Sequence, residues 1–172
     1  MEKYSRIKAL ISLDAIRYNF EQMKKNIKEG TKIIAVIKAD AYGHGAVPIA
    51  RMLEEFDYIW GFAAATAQEA LQLRKAGITR PILILGLVFE EYYKKLAEND
   101  VRMAVCDYET ARKFNKAAEA AGKKGLIHLA ADTGMTRIGF KDREESLEEI
   151  RRIAALPNVE IEGLFTSFCK SR

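Results

Sequence analysis

Short apolar runs alternate along the chain with stretches of helical spacing. Each of the first five runs is followed by apolar residues at intervals of three and four. Residues 33–37 are apolar throughout, which is typical of parallel strands that helices cover on both faces. The pattern predicts βα units in a single domain, with strands beginning near Lys32, Tyr58, Pro81, Val101, Leu126 and Val159.

The predicted helices carry their own start and stop signals. An apolar stripe follows Ser12 and stops before Gly30, and it comprises Leu13, Ile16, Phe20, Met23 and Ile27. Thr66 and Glu69 have capping-box spacing, which predicts a helix start, and Gly77 would end that helix. A complete (β/α)₈ barrel needs eight units and about 250 residues. Six units in 172 residues leave open either a doubly wound sheet or an unfinished barrel.

Composition narrows the function classes. The chain is 49% hydrophobic and 30% charged with a net charge of +4, so disorder, membrane spans and a nucleic-acid interface are not expected. Cys106 and Cys169 are too few for a disulfide scaffold and have no metal-binding spacing, so a metal site is not expected. Met1 opens no signal peptide, and we therefore expect a cytoplasmic protein with reduced thiols.

Lys38 closes the first apolar run and is the first candidate for chemistry. A lysine here would project its amine to the rim where α/β proteins bind ligands. Burial beside Ile34 and Val36 would favour the free amine and a Schiff base with an aldehyde. Taken alone, the lysine is more simply a strand-end side chain that reaches solvent.

Two further segments follow predicted strands. Tyr42 lies in a glycine-bearing turn with Gly43 and Gly45, where its hydroxyl and the next helix start could serve a phosphate. A plain turn in which Tyr42 packs and His44 caps is the simpler interpretation. Arg137 lies between two glycine-bearing turns and offers a planar fork to a carboxylate, or is only a solvated loop residue.

Three motifs together resemble alanine racemase. They are the segments 36–45 (VIKADAYGHG), 132–139 (DTGMTRIG) and 163–168 (GLFTSF), in the family's order and spacing. The resemblance implies a pyridoxal 5′-phosphate (PLP) enzyme on a (β/α)₈ barrel, with about six of eight units here and the C-terminal β domain absent. Residues 1–172 would be the N-terminal portion of that barrel domain.

The resemblance also implies roles for individual residues. Lys38 would hold PLP covalently and move a proton at one face of the substrate carbon. Tyr42 would hydrogen-bond the cofactor phosphate, and Ser167 would lie beside the cofactor. Arg137 would lie near the cofactor's phenolic oxygen and the substrate carboxylate, with the Met135 amide in the same neighbourhood.

The chain departs from the family pattern at three points. Ala130 replaces a carbamylated lysine that often steadies the arginine, and Ser167 replaces a histidine that stacks on the cofactor ring. The family's second base is a tyrosine from the C-terminal domain of the other subunit of a homodimer. We therefore expect a truncated racemase that is inactive alone, with exposed sheet edges and a poorly held segment from Ile7 to Leu13.

Several functions stay open on the sequence. The leading one is interconversion of L- and D-alanine, which in the family supplies D-alanine for cell-wall peptidoglycan. The alternatives are a non-catalytic PLP-binding barrel protein and a related racemase or decarboxylase acting on serine, lysine or ornithine. A βα protein without PLP is the remaining possibility, and it would require three motifs to agree by accident.

Overall fold

The structure is a computed structural model, and it describes residues 8–169. The strands are β1 (Ile33–Val36), β2 (Ile59–Ala64), β3 (Ile82–Ile84), β4 (Val101–Val105), β5 (Gly125–Ala131) and β6 (Val159–Thr166). The helices are α1 (Leu13–Lys25), α2 (Lys38–Gly43), α3 (Ala46–Leu53), α4 (Ala67–Lys75), α5 (Tyr93–Glu98), α6 (Tyr108–Ala120) and α7 (Glu144–Ala154), with a 3₁₀ turn (Glu90–Tyr92) before α5. Every strand begins within one residue of its predicted start, which confirms the repeating βα pattern.

The strand order resolves the alternative that the sequence left open. All six strands are parallel, and their order in the sheet is β1-β2-β3-β4-β5-β6. A doubly wound sheet reverses its strand order at a switch point, whereas a barrel adds each strand beside the one before it. The fold is therefore an incomplete barrel of six βα units.

Contacts between distant strands show that the sheet is curled. Trp60 on β2 and His128 on β5 have ring centroids 5.6 Å apart, although three strand spacings would separate them by about 14 Å in a flat sheet. Arg102 on β4 binds both carboxylate oxygens of Glu162 on β6, at 2.9 and 2.8 Å. His128 adds a contact of 3.1 Å to the same carboxylate. These side chains converge on the inner face of the curled sheet.

The larger core lies between the sheet and the helices. Phe62, Ile82, Met103 and Ile127 are fully buried there, and Phe114 of α6 packs on the same side. The buried hydrophobic residues of the inner face are mostly small, namely Ala63, Leu83, Ala104 and Ala130. Burial on both faces explains why the strand sequences are apolar without alternation.

The helix signals are confirmed at their starts. The Ser12 hydroxyl accepts from the Ala15 amide at 3.2 Å and begins α1, and the capping box of Thr66 and Glu69 begins α4. α1 ends at Lys25, earlier than the apolar stripe suggests, and none of its residues is fully buried. None of the helices in residues 8–169 combines the length and apolar character that a membrane span requires.

The expected exposed edges are present among the described residues. β1 and β6 each have one neighbouring strand, and Val36 and Leu164 on them are 42% and 64% exposed. In the segment expected to be poorly held, Ile7 lies outside the described residues, while Leu10 is 92% exposed.

Arg74 ties together the loops at the amino end of the sheet. Its guanidinium donates to the carbonyl oxygens of Ile78, Arg80, Asn99 and Asp100, at 2.7 to 3.1 Å. Burial, with the charge of Arg102 as the second cause, lowers the pKa of Arg74 from its usual value. One side chain thus connects the segments that lead into β3 and β4.

We expect Arg74→Met to lower the free energy of unfolding by roughly 2 to 3 kcal/mol, because several carbonyl groups would lose their hydrogen-bond donor. Urea denaturation followed by circular dichroism measures the change. Arg151→Met, at an exposed position of α7, is the matched control and should change stability by less than about 0.5 kcal/mol. Equal effects of the two substitutions would contradict the role given to Arg74.

Candidate active site

The predicted site residues follow the carboxyl ends of strands. Lys38 and Tyr42 come directly after β1, Met135 and Arg137 lie between β5 and α7, and Ser167 follows β6. The carboxyl ends of parallel strands share one rim, which is where barrel enzymes carry their chemistry. The candidate site therefore occupies this rim.

The turn after Lys38 is left-handed. Residues 39–42 have φ between 51° and 54°, so these four residues, none of them glycine, form a single left-handed helical turn within α2. Each such residue costs roughly 1 to 2 kcal/mol compared with the right-handed form. Gly43 and Gly45 continue with φ of 84° and 93°, as the predicted positive-φ turn requires. Strain of this size at non-glycine positions is typical of functional sites.

Hydrogen bonds at both ends hold this turn. At its start, the Ala39 amide donates to Glu69 Oε1 at 2.9 Å. At its end, the Ala46 amide, which is the first amide of α3, donates a hydrogen bond to Asp40 Oδ1 at 2.7 Å. His44 Nδ1 lies 2.9 Å from the Ala41 carbonyl oxygen, which agrees with the simpler interpretation of His44 as a cap.

Lys38 is half-buried and lies beside an aromatic ring. Its amine is 5.9 Å from the centroid of the Tyr42 ring, and no carboxylate among the described residues forms an ion pair with it. The expectation of burial beside Ile34 and Val36 is wrong for the described chain, since these are 37% and 42% exposed. The reason is that both lie on a strand at the edge of the sheet. Tyr42 is 60% exposed, so it does not pack as the simpler interpretation requires.

Asp132 organises the loop that carries Arg137. Its Oδ1 accepts from the amides of Thr136 at 2.8 Å and Gly134 at 3.1 Å. These two bonds, with a smaller contribution from the Met135 amide, lower the pKa of Asp132 below its usual value.

The base of the same loop is closed by backbone contacts. The Asp132 amide donates to the Phe140 carbonyl, and the Phe140 amide donates to the Ala130 carbonyl, both at 2.8 Å. A Cβ at Gly139, where φ is 129°, would approach the Asp132 nitrogen to 2.5 Å, so only glycine fits there. The Thr133 and Thr166 hydroxyls lie 2.6 Å apart and connect the loop to β6.

The structure brings some of the predicted residues together and leaves others apart. Lys38 contacts Tyr42, but no hydrogen bond within residues 8–169 joins Lys38 to Met135, Arg137 or Ser167. Met135 and Arg137 are exposed and Ser167 is half-buried. Lys38 and Ser167 belong to opposite edges of the described sheet.

Comparisons with known proteins agree with this arrangement. The family model "Alanine racemase, N-terminal domain" matches residues 11–172. The chain is 42% identical over 160 residues to an alanine racemase of Methanococcus maripaludis, covering 93% of this chain and 43% of that protein. It is 44% identical over 168 residues to an alanine racemase of Clostridium kluyveri, covering 97% of this chain and 42% of that protein.

Solved structures give the same result. The alanine racemase of Clostridium difficile 630 superimposes with a TM-score of 0.89 at 43% identity, covering 92% of this chain and 42% of that one. A histidine racemase of Leuconostoc mesenteroides is also similar, with a TM-score of 0.84 at 30% identity, and the match covers 93% of this chain and 42% of that one. This chain belongs to the alanine racemase family. It spans about two-fifths of the length of the relatives that it matches.

The structure shows the surroundings of two positions at which the resemblance implies a departure from the alanine racemase pattern. Ala130 is 2% exposed near the end of β5, so its methyl group cannot steady Arg137 electrostatically. Arg137 forms no ion pair among the described residues. Ser167 is half-buried just beyond β6, where a hydroxyl can donate a hydrogen bond but cannot stack on a ring.

Three acidic residues contact the backbone of the candidate site, and the sequence alone did not predict these contacts. The sequence identifies Glu69 as a capping residue within residues 65–70, a segment that resembles the family's second βα loop, and it identifies Asp40 and Asp132 only as members of motifs. Capping-box spacing identifies one partner of Glu69, but nothing local indicates its bond to Ala39, 30 residues away. The left-handed turn had no signal either, because the segment Ala-Asp-Ala-Tyr has no preference for positive φ.

We expect the loop held by Asp132 to stay ordered above the ordinary aspartate pKa near 3.8. Because the folded pKa is lowered, these hydrogen bonds are lost only as the pH falls through that lower value. An NMR titration of the Thr136 amide measures the transition.

The Asp132→Asn variant should lack this acid transition and exchange its Thr136 amide faster at neutral pH. Asp142→Asn, at an exposed position that follows the same loop, is the matched control and should behave like the unsubstituted chain. A Thr136 transition at or above the ordinary aspartate value would contradict the assignment.

Proposed function

We propose that this chain is the cofactor-binding part of a PLP-dependent alanine racemase that interconverts L- and D-alanine. The observation that carries the proposal is the Lys38 amine at the carboxyl rim, beside Tyr42 and without a carboxylate partner among the described residues. An amine in an ion pair would be less available for reaction with an aldehyde. Membership of the alanine racemase family supports the proposal.

The residues at the rim fit PLP in their chemistry. Lys38 is the amine that would hold the cofactor covalently, and Tyr42 exposes a hydroxyl that would bind its phosphate. Ser167 adds a hydroxyl donor, and Arg137 adds a planar cation in an exposed loop. The N-terminal amide of α3 is less available, because Asp40 already accepts from Ala46.

Lys38 and Arg137 would have separate roles toward the substrate, proton transfer for Lys38 and carboxylate binding for Arg137. Arg137 would bind the substrate carboxylate through its planar fork, and the Met135 amide would lie in the same region. When bound, PLP supplies an electron sink that makes the α-hydrogen of the amino acid acidic. Lys38 would accept and return that proton on one face of the carbon.

The remaining features of the enzyme are part of the same proposal. Residues 1–172 would be the N-terminal portion of the barrel domain, and a tyrosine from a C-terminal domain of the partner subunit would serve the opposite face. The whole enzyme would be a cytoplasmic homodimer that supplies D-alanine for cell-wall peptidoglycan. On its own this chain is expected to exchange the α-hydrogen without completing racemisation.

A racemase for another amino acid is the second candidate. The observation that favours it is the histidine racemase, which shares the fold at a TM-score of 0.84. The rim residues bind groups that all amino acids share, so they do not select the side chain. A non-catalytic PLP-binding protein is less favoured, because it has no use for a substrate-binding Arg137.

Treatment with PLP and borohydride should label Lys38, and mass spectrometry of the digested chain locates the adduct. Lys38→Ala should abolish the label. Lys32→Ala is the matched control, since Lys32 precedes β1 at the opposite end of the strand, and it should be labelled at Lys38 like the unsubstituted chain. Label on another residue, or none, would contradict the proposed cofactor role.

In deuterated water the PLP-loaded chain should exchange the α-hydrogen of one alanine enantiomer, because Lys38 serves one face of the carbon, and NMR of L- and D-alanine incubated separately detects which one. Arg137→Lys should lower the rate by about tenfold or more, because lysine lacks the planar fork. Arg143→Lys, also exposed beyond the same loop, is the matched control. Faster exchange of histidine or serine than of alanine would favour the second candidate, and label without exchange of either alanine enantiomer would favour the non-catalytic protein.

A further inference from the structure

Glu69 connects two loops of the rim through a single carboxylate. Its Oε2 accepts from the amides of Ala65 at 2.8 Å and Thr66 at 3.3 Å, at the start of α4. Its Oε1 accepts from the amide of Ala39 at 2.9 Å. Ala39 directly follows Lys38, so the carboxylate links the second βα loop to the turn that carries the lysine.

A capping role accounts for only part of this geometry. The capping box requires the Thr66 hydroxyl to accept from Glu69 and the Glu69 carboxylate to accept from Thr66, and both bonds are present. The bond to Ala39 lies outside that motif. It leaves both carboxylate oxygens engaged with backbone amides.

The turn that Glu69 contacts is under strain. Ala39 is its first left-handed residue, with φ of 51°, and three more follow it. Without a restraint at this point, residues 39–42 would lower their conformational energy by returning to the right-handed region. That change would redirect the chain immediately beyond Lys38. Hydrogen bonds to a charged acceptor are among the stronger ones available for such a restraint.

We infer that Glu69 is the positioning residue of the Lys38 amine: its carboxylate holds the left-handed turn after β1 against the start of α4 and so fixes the direction in which Lys38 leaves the strand. The role for Lys38 itself rests on the proposed function. Asp40 secures the far end of the turn through Ala46, while Glu69 secures the end next to the lysine.

The test compares Glu69→Ala with Thr66→Ala. Both substitutions remove one half of the capping box and should weaken the start of α4, but only Glu69→Ala removes the acceptor of the Ala39 amide. Glu91→Ala, an exposed glutamate of the 3₁₀ turn, controls for the loss of a negative charge. The measurements are hydrogen exchange of the Ala39 amide in the chain without PLP, and the rate at which PLP and borohydride label Lys38.

Glu69→Ala should raise Ala39 exchange by about tenfold or more and slow Lys38 labelling by a similar factor. Thr66→Ala and Glu91→Ala should leave both rates within about twofold of the unsubstituted chain. A role limited to capping would instead change the rates equally in Glu69→Ala and Thr66→Ala. Unchanged Ala39 exchange in Glu69→Ala would overturn the inference.

Glu69→Gln keeps the test decisive if Glu69→Ala fails to fold. Glutamine has one acceptor oxygen where the carboxylate has two, so it can serve Ala39 or Ala65 but not both. We expect one of these two amides to lose protection, and retention of both would overturn the inference. If the unsubstituted chain takes no label at Lys38, the proposed cofactor role fails, while Ala39 exchange still decides whether Glu69 restrains the turn.

Discussion

The ion pair between Arg102 and Glu162 spans the inner face of the sheet from β4 to β6, and the curl of the barrel depends on contacts of this kind. The guanidinium binds both carboxylate oxygens, at 2.9 and 2.8 Å, and holds the pKa of Glu162 below its usual value despite partial burial. His128 and Trp60 complete a cluster drawn from four strands. Such contacts exist only where the sheet is bent, and the bend turns the strand ends toward a common rim.

At that rim, the candidate functional side chains lie next to residues whose backbone is held by acidic side chains. Lys38 is half-buried and has no ion pair among the described residues, whereas the segment after it is held by two acidic side chains at 2.9 and 2.7 Å. The loop of Arg137 follows the same principle, because Asp132 binds its backbone amides while the arginine stays exposed. In both places carboxylates bind backbone amides, and the candidate cation forms no ion pair among the described residues.

Local patterns were sufficient for the elements of the fold. Apolar runs predicted all six strand starts to within one residue, and Thr66 and Glu69 predicted the start of α4, because these signals act over a few neighbouring residues. The motifs around Lys38 and Arg137 were likewise sufficient to indicate the family. Sequence reasoning was wrong about burial beside Lys38, because whether Ile34 and Val36 are covered depends on the strands that flank them.

The amino-acid sequence by itself determined the order of the βα units, the residues at their carboxyl ends and the resemblance to alanine racemases. The apolar pattern alone left open whether the sheet curls or reverses its strand order. The resemblance implied the barrel, and the tertiary structure confirms it, since side chains from β2, β4, β5 and β6 meet on one face. Only the tertiary structure decided the left-handed turn after Lys38. The segment has no local preference for that conformation, and the acceptor of the Ala39 amide comes from a helix 30 residues away.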